Sequence, residues 1–137
     1  MLDDAHDLAL SVARLNRRMR RERRSELTPT QLSVLGAVAL LGPATPGSIA
    51  AHERVKPPSV TRILNQLTES GYIRRLPHPE DGRQVLVEVS PGGHSWLEEE
   101  RQRRDAWLHE QLQHLQAGER ELLREAAPLL KRLAESE

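Results

Sequence analysis

The spacing of apolar residues changes once along the chain. On either side of residues 72–90, apolar positions recur every three or four residues, as they do in amphipathic helices. Within YIRRLPHPEDGRQVLVEVS (72–90), two β-type runs, YIRRL and QVLVEV, flank the turn-rich PHPEDGR. The pattern predicts a mainly α-helical protein with one small β-hairpin, tipped by Arg83.

Four helices are predicted before the hairpin. The first has the apolar stripe Leu8, Val12, Leu15 and Met19. The second begins with a capping box formed by Thr28 and Gln31, and it ends at Gly42. The third repeats the Thr-Pro opening at Thr45 and has room for only two turns. The fourth, KPPSVTRILNQLTESG, starts with prolines and is expected to end on Gly71 as a left-handed cap.

The fourth helix has an apolar face and a polar face. Its helical projection directs Val60, Ile63, Leu64 and Leu67 toward the core. The opposite face carries Pro58, Ser59, Arg62, Asn65 and Gln66, with Thr61 near its edge. These side chains can donate to phosphates or base edges, and the N-terminus of the helix adds unsatisfied N–H groups and a positive dipole end. The alternative is an ordinary solvated face.

The order of the third and fourth helices favours the first interpretation. A short helix, a tight connection and a second helix that begins with small and basic residues form the helix-turn-helix arrangement, in which the second helix enters the major groove of DNA. Arg54 and Lys56 lie in the connection and are candidate phosphate contacts.

The hairpin is predicted to pack beside these helices as a wing. Its second strand alternates between inward Val85, Val87 and Val89 and outward Gln84, Leu86 and Glu88. A turn at Asp81 and Gly82 projects Arg83 outward, as entry into a narrow minor groove requires. Asp81 is predicted either to orient Arg83 or to cap the turn. The alternative is that EDGR is simply a soluble turn.

Two further helices are predicted after the hairpin. One carries the stripe Leu97, Leu108, Leu112 and Leu115, and the other carries Leu122, Leu123, Ala126, Leu130 and Leu133. Pro128 is expected to kink or divide the last helix. These stripes exceed what a small winged domain can cover, so together with the first helix they predict a two-fold dimer interface. Trp96 and Trp107 are expected at that interface or, as the alternative, in a ligand site.

Composition narrows the function classes. Twenty basic and twenty acidic residues cancel, so the location of charge matters more than its sum. The absence of Cys excludes disulfides and Cys-ligated zinc, and the scattered histidines and missing phosphate-loop or nucleophile motifs predict no metal, no cofactor and no enzyme. Short apolar runs and an acidic N-terminus predict a cytoplasmic protein without a membrane partner. The run Arg14–Arg24 forms either a solvated face, paired with Glu98–Glu100 across the dimer, or extra phosphate contacts.

Three stretches, LTPTQLSVL, SVTRILNQLTESGYIRR and PEDGRQVLVEVSPGG, resemble the MarR family of dimeric winged helix-turn-helix transcription regulators in order and spacing. The resemblance implies a single subunit over residues 1–137. Its winged helix-turn-helix region would span residues 28–90, between dimerisation helices at 4–24 and 92–136.

The resemblance also implies roles for individual residues. It gives recognition-helix roles to Ser59, Thr61 and Arg62, and wing roles to Asp81 and Arg83 around Gly82. Where the family reads Leu-Thr-x-x-Gly after the wing, this chain reads VSPGG (89–93). The serine of this stretch can still cap a helix, and its last glycine matches the family glycine.

The function implied is a homodimeric, sequence-specific regulator that binds a palindromic operator in double-stranded DNA, a repressor released by a small aromatic or phenolic effector. The chain has no Phe and one Tyr, so an aromatic-lined pocket is not expected. The alternative is a winged-helix protein-interaction module without specific DNA binding. Arg62 and Arg83, on the two DNA-facing elements, favour the regulator.

Overall fold

The computed structural model describes residues 2–22 and 26–136. Its helices and strands are α1 (Leu2–Glu22), α2 (Pro29–Leu41), α3 (Pro46–Glu53), α4 (Pro57–Glu69), β1 (Ile73–Pro77), β2 (Val85–Val89), α5 (Pro91–Gln113) and α6 (Ala117–Glu135). These residues form two compact units, which divide within α5 after residue 101. We call residues 26–101 the winged-helix unit, and residues 2–22 with 102–136 the helical unit. The predicted mainly α fold with a small β-wing is confirmed.

The ends of α2, α3 and α4 follow the predicted signals. At α2, the Thr28 hydroxyl accepts the backbone N–H of Gln31 (3.1 Å) and the Gln31 side chain accepts that of Thr28 (3.0 Å), which completes the capping box. Thr45 caps α3 in the same way, by accepting the N–H of Ser48. After α4, Gly71 has a φ of 84°, a left-handed conformation that glycine adopts at little cost.

The core of the winged-helix unit forms where α2, α3 and α4 meet the hairpin. The predicted inward residues of α4 are all buried, as are side chains from each neighbouring element; the largest fully buried ones are Leu35, Ile49, Leu67, Val34, Val38, Val60 and Val87. Truncation of a buried Leu to Ala costs ~2–5 kcal/mol. This core therefore fixes the orientation of α4, and with it the direction of its polar face.

The hairpin is fastened to the helices by an extra backbone bridge. Strands β1 and β2 pair antiparallel, with Arg74 opposite Glu88. Beyond this pair of strands, Ala44 exchanges two backbone hydrogen bonds with Val87, of 3.1 and 2.8 Å. A two-stranded hairpin is only marginally stable alone. The bridge between Ala44 and Val87 therefore helps to hold the wing in place.

The predicted alternation in β2 holds at two of its three inward positions. Val87 and Val89 are buried, but Val85 is 41% exposed. It lies at the distal end of the hairpin, opposite Pro77, where it lines a cleft beside Pro46 instead of the core.

A tight contact follows the wing at the start of α5. The Ser90 hydroxyl accepts the backbone N–H of Gly93 (2.9 Å) and donates to the Gly71 carbonyl (2.6 Å), so the predicted cap is present. A Cβ on Gly93 would overlap the carbonyl oxygen of Tyr72 and lie 2.8 Å from Val89 Cγ1. Glycine is therefore required at this position by the close approach of the backbone.

The helical unit has a different character. Neither α1 nor α6, as described, contains a buried residue, and the exposed apolar side chains on them are Leu2, Leu8, Leu10, Val12, Leu15, Leu122, Leu123, Leu129, Leu130 and Leu133. Helix α6 continues through Pro128, so of the two expected effects, a kink or a division of the helix, division is wrong. Of the predicted arginine run, Arg23 and Arg24 lie outside the described residues.

Within that run, Arg18 makes two side-chain contacts. It forms an ion pair with Glu22 (3.1 Å) and lies over the ring of Trp107, 5.3 Å from the ring centroid. Both contacts are of the kind that contributes about 1 kcal/mol or less at an exposed site. Among the described helices, none is both long and apolar enough to cross a membrane.

Candidate nucleic-acid interface

Arg62 stands on the exposed face of α4. Its neighbours in the helix, Ile63 and Leu64, are buried, and this fixes the outward direction of Arg62. Among the described residues, none forms a hydrogen bond or an ion pair with its guanidinium. Five N–H donors of a planar cation are thus left to solvent, and they match the two acceptors of a guanine edge or the oxygens of a phosphate.

Asn65 and Gln66 are also exposed on α4, but each already uses its side-chain oxygen. Asn65 Oδ1 accepts a hydrogen bond from Nη2 of Arg75 on β1. Gln66 Oε1 accepts one from Nε2 of Gln31 on α2, at 3.0 Å. The amide orientation of Gln31 follows from its capping box, because its Oε1 already accepts the Thr28 N–H. Both predicted site residues therefore offer their NH₂ groups, which are donors, to an external ligand.

Thr61 lies on the exposed surface, and its hydroxyl donates to the carbonyl of Pro57 (3.0 Å). With this proton engaged, Thr61 can only accept a hydrogen bond from a ligand. Its predicted contact is therefore restricted to donors such as the amino groups of adenine or cytosine.

The N-terminus of α4 differs from the prediction. Pro57 and Pro58 occupy the first two helical positions and carry no N–H, while the N–H groups of Ser59 and Val60 both donate to the Lys56 carbonyl (3.1 and 3.3 Å). The expected unsatisfied N–H groups are therefore missing from this end, and only its dipole remains. Pro58 is exposed, and Ser59 is half-buried.

The two candidate phosphate contacts precede this helix. Arg54 ends α3 in a left-handed conformation (φ 55°), and Lys56 occupies the N-cap position of α4. Both side chains are exposed. They add two cations beside the N-terminal end of the predicted recognition helix.

The wing tip is an ordered turn. Asp81 Oδ1 accepts the backbone N–H of Arg83 (3.0 Å), and the Asp81 carbonyl accepts that of Gln84 (3.1 Å). Of the two roles predicted for Asp81, the described contacts are those of a turn cap. The side chain of Arg83 is exposed and lines a cleft with Thr45 at the start of α3.

Gly82 is less constrained than its place in the predicted motif suggests. Its φ is not positive, and a Cβ built on it meets nothing within 4 Å. The turn therefore does not require glycine at this position.

Sequence reasoning missed Arg75 and Gln31 as residues that hold the candidate site. Arg75 joins the wing to α4 through Asn65, and Gln31 joins α2 to α4 through Gln66. A weak signal for Arg75 was present, because it follows Arg74 on a strand and must point to the opposite face. Arg74 itself pairs with Glu88 across the hairpin (2.6 Å).

The two tryptophans belong to different units. Trp96 is half-buried and packs edge-on against Tyr72 in the winged-helix unit, with ring centroids 5.1 Å apart. Trp107 is half-buried in the helical unit beneath Arg18.

Comparison with known proteins assigns this architecture to a family. The model of the MarR family matches residues 27–85, which span α2 to the start of β2. An HTH-type transcriptional regulator of Mycobacterium tuberculosis is 46% identical over 96% of this chain and 92% of its own length. The chain belongs to the MarR family.

Solved structures agree with this assignment. A Pseudomonas aeruginosa protein is 37% identical, covers 99% of this chain and 96% of its own, and superposes with a TM-score of 0.89. Escherichia coli MarR in its apo form is 28% identical, with a TM-score of 0.69 and coverage of 92% and 96%. The winged helix-turn-helix fold and the class of transcription regulator, both implied by the motifs of α4 and the wing, are confirmed for this MarR-family chain.

Proposed function

We propose that this MarR-family chain is a homodimeric repressor that reads a palindromic operator with α4 and holds it with the wing. The observation that carries the proposal is the pair of exposed arginines, Arg62 on α4 and Arg83 on the wing. The contact between Arg75 and Asn65 fastens these two elements to each other, so they act as one surface. With one arginine on each element, α4 can contact the major groove of a DNA duplex while the wing contacts the adjacent minor groove.

A protein of the same fold supports DNA binding as the activity. Streptococcus pneumoniae FabT, solved in complex with DNA, superposes with a TM-score of 0.74 at 17% identity. The likeness concerns the fold. The residues proposed to contact DNA here rest on their exposure and hydrogen bonds in this chain.

The homodimer is supported by the helical unit. Leu122, Leu130 and Leu133 of α6 are 66%, 41% and 61% exposed, and Leu8 and Val12 of α1 are each almost half exposed. Long helices without buried residues lack the tertiary packing that supplies most helical stability in proteins. A second copy of the chain, with the same stripes, would cover these faces through a two-fold interface and would place two copies of α4 about one DNA turn apart.

Release by an effector is supported by a cleft between α4 and the wing. It has a volume of about 170 Å³, its lining is mainly apolar, and it is lined by Pro46, Thr61, Leu64, Asn65, Arg75, Val85 and Val87. Arg75 supplies a cation for an acidic group. A small phenolic acid bound here would compete with Asn65 for Arg75 and would loosen the wing from α4.

Selection from a random duplex pool tests the proposal. The purified protein should enrich a palindromic sequence, and affinity for that duplex should fall steeply as salt rises, because phosphate contacts release counterions. Addition of hydroxybenzoate should release the enriched duplex. Failure to enrich any sequence, with affinity independent of salt, would instead favour a protein-interaction module.

A further inference from the structure

His78 forms two hydrogen bonds at the base of the wing turn. Its Nδ1 lies 3.1 Å from the backbone nitrogen of Glu80 and 3.0 Å from that of Asp81. Both nitrogens carry a hydrogen that points to the ring, so Nδ1 accepts twice and must hold a lone pair. The imidazole is therefore neutral in this arrangement, with its proton on Nε2.

These two bonds begin a chain of hydrogen bonds that ends at the backbone of Arg83. His78 fixes the N–H of Asp81, and Asp81 in turn accepts the N–H groups of Arg83 and Gln84. His78 thus fixes the conformation of Asp81, and Asp81 in turn fixes the backbone of Arg83. A second proton on His78 would turn Nδ1 into a donor facing two other donors, and both bonds would break.

We infer that His78 is the positioning residue of the wing: its neutral imidazole holds the turn that presents Arg83, so protonation of His78 weakens DNA binding. The inference rests on the proposed function, since it gives the wing a role on DNA. It also opposes simple electrostatics, because an extra positive charge near a duplex should strengthen binding.

Charged side chains lie on the turn and on both strands of the hairpin. The charged side chains of the turn are Glu80, Asp81 and Arg83, and the strands add Arg74 paired with Glu88 and Arg75 bonded to Asn65. From α3 and α4, the clefts beside the hairpin are lined by Thr45, Pro46, Gly47, Thr61, Leu64 and Asn65, none of which titrates. His94 lies in a cleft with Glu88 and Val89, at the other end of β2.

Asparagine and glutamine are matched substitutes for this histidine. In His78→Asn, Oδ1 stands as many bonds from Cα as Nδ1 does, so it can accept from residues two and three positions on, as Asn does in turns. In His78→Gln, the amide lies one bond farther, where Nε2 stands in histidine. Neither variant titrates, and His78→Ala removes the acceptor altogether.

The DNA affinities of wild type and the three variants should depend on whether residue 78 keeps a hydrogen-bond acceptor at the position of Nδ1. At about pH 8, His78→Asn should bind the selected duplex within about twofold of wild type, while His78→Ala and His78→Gln should bind roughly five- to tenfold more weakly, the loss expected from one or two hydrogen bonds. As the pH is lowered, wild type should lose affinity relative to His78→Asn, because only wild type can place a proton on Nδ1. Melting temperatures should stay equal, because the turn lies outside the core.

A second measurement on the free protein keeps the two proposals separate. By NMR, the amide signals of Glu80 and Asp81 should move as the pH is lowered in wild type, and they should move less in His78→Asn. Equal binding by all four proteins, or a constant ratio of wild type to His78→Asn across pH, would overturn the inference. If wild type binds no duplex, the proposed function is wrong instead, and the amide titration still decides whether His78 holds the turn.

Discussion

Arg75 on β1 donates a hydrogen bond to Asn65 on α4, and this contact joins the wing to that helix. The two residues are ten positions apart, and they belong to elements that are held separately by the core. Their bond uses the oxygen of the Asn65 amide and leaves its NH₂ group as a donor. The orientation of one predicted DNA-contacting residue is thus set by a residue on the neighbouring element.

This relationship predicts that Arg75 and Asn65 are energetically coupled in DNA binding. Arg75→Ala and Asn65→Ala should each weaken binding of the selected duplex, and the double variant should lose less than the sum, with a coupling of ~0.5–3 kcal/mol. Arg74→Ala is the matched control, because Arg74 pairs with Glu88 instead. Additive losses in a double-mutant cycle would show that the contact does not shape the interface.

The cap formed by Asp81 predicts an effect opposite in sign to that of its charge. Asp81→Ala removes a negative charge near DNA, which alone should tighten binding, but it also removes the acceptor for the Arg83 N–H. We expect weaker binding, about as weak as that of Arg83→Ala, with the largest loss on operators with A·T-rich flanks.

Asp81→Asn is the control for this prediction, since it removes the charge and keeps a turn acceptor. It should bind at least as well as wild type. Fluorescence anisotropy at two salt concentrations measures both variants, with the melting temperature as a check on folding. Tighter binding by a folded Asp81→Ala would contradict the role given to the cap.

Gly93 should be intolerant of any side chain. Its Cβ would overlap the Tyr72 carbonyl, so Gly93→Ala must displace the start of α5 from the hairpin, and we expect the free energy of unfolding to fall by ~2 kcal/mol or more. Gly36→Ala, in the middle of α2 with open space around its Cβ, should instead gain ~0.5–1 kcal/mol. Urea denaturation compares the two; equal effects would show that the close approach is absent.

The exposed stripe of α6 should be needed for assembly. Light scattering at micromolar concentration should give twice the mass of one chain, and Leu133→Glu should reduce it toward one chain because it places a charge in the apolar interface. Leu40→Glu, on the winged-helix unit, is the control: Leu40 is 72% exposed against 61% for Leu133, and this variant should remain dimeric. A folded, monomeric wild type would contradict the proposed dimer.

The local features of this fold were predictable because they depend on residues close in sequence. The caps at Thr28 and Thr45 lie within one turn of their partners, and the buried face of α4 follows from helical spacing alone. The exposure of Val85 was not predictable in this way, since it depends on how far the helices extend beneath the hairpin.

The candidate site was predictable as a set of positions but not as a set of hydrogen bonds. Arg62 and Arg83 were found from the pattern of polar residues and the turn. The bonds from Arg75 to Asn65 and from Gln31 to Gln66 span 10 and 35 residues, and they exist only because the core brings separate elements together. Those bonds decide which atoms of each side chain remain for a ligand.

The central claim is that α4 reads DNA sequence through Arg62, and one comparison tests it most directly. Affinities of wild type and Arg62→Ala should be measured by anisotropy on the selected duplex and on a scrambled duplex of the same composition. Because a base contact is lost, Arg62→Ala should cost ~1–3 kcal/mol on the selected duplex and much less on the scrambled one. Arg54→Ala, a candidate phosphate contact, should weaken both duplexes equally. Equal losses on the two duplexes for Arg62→Ala would contradict the claim and reduce Arg62 to a phosphate contact.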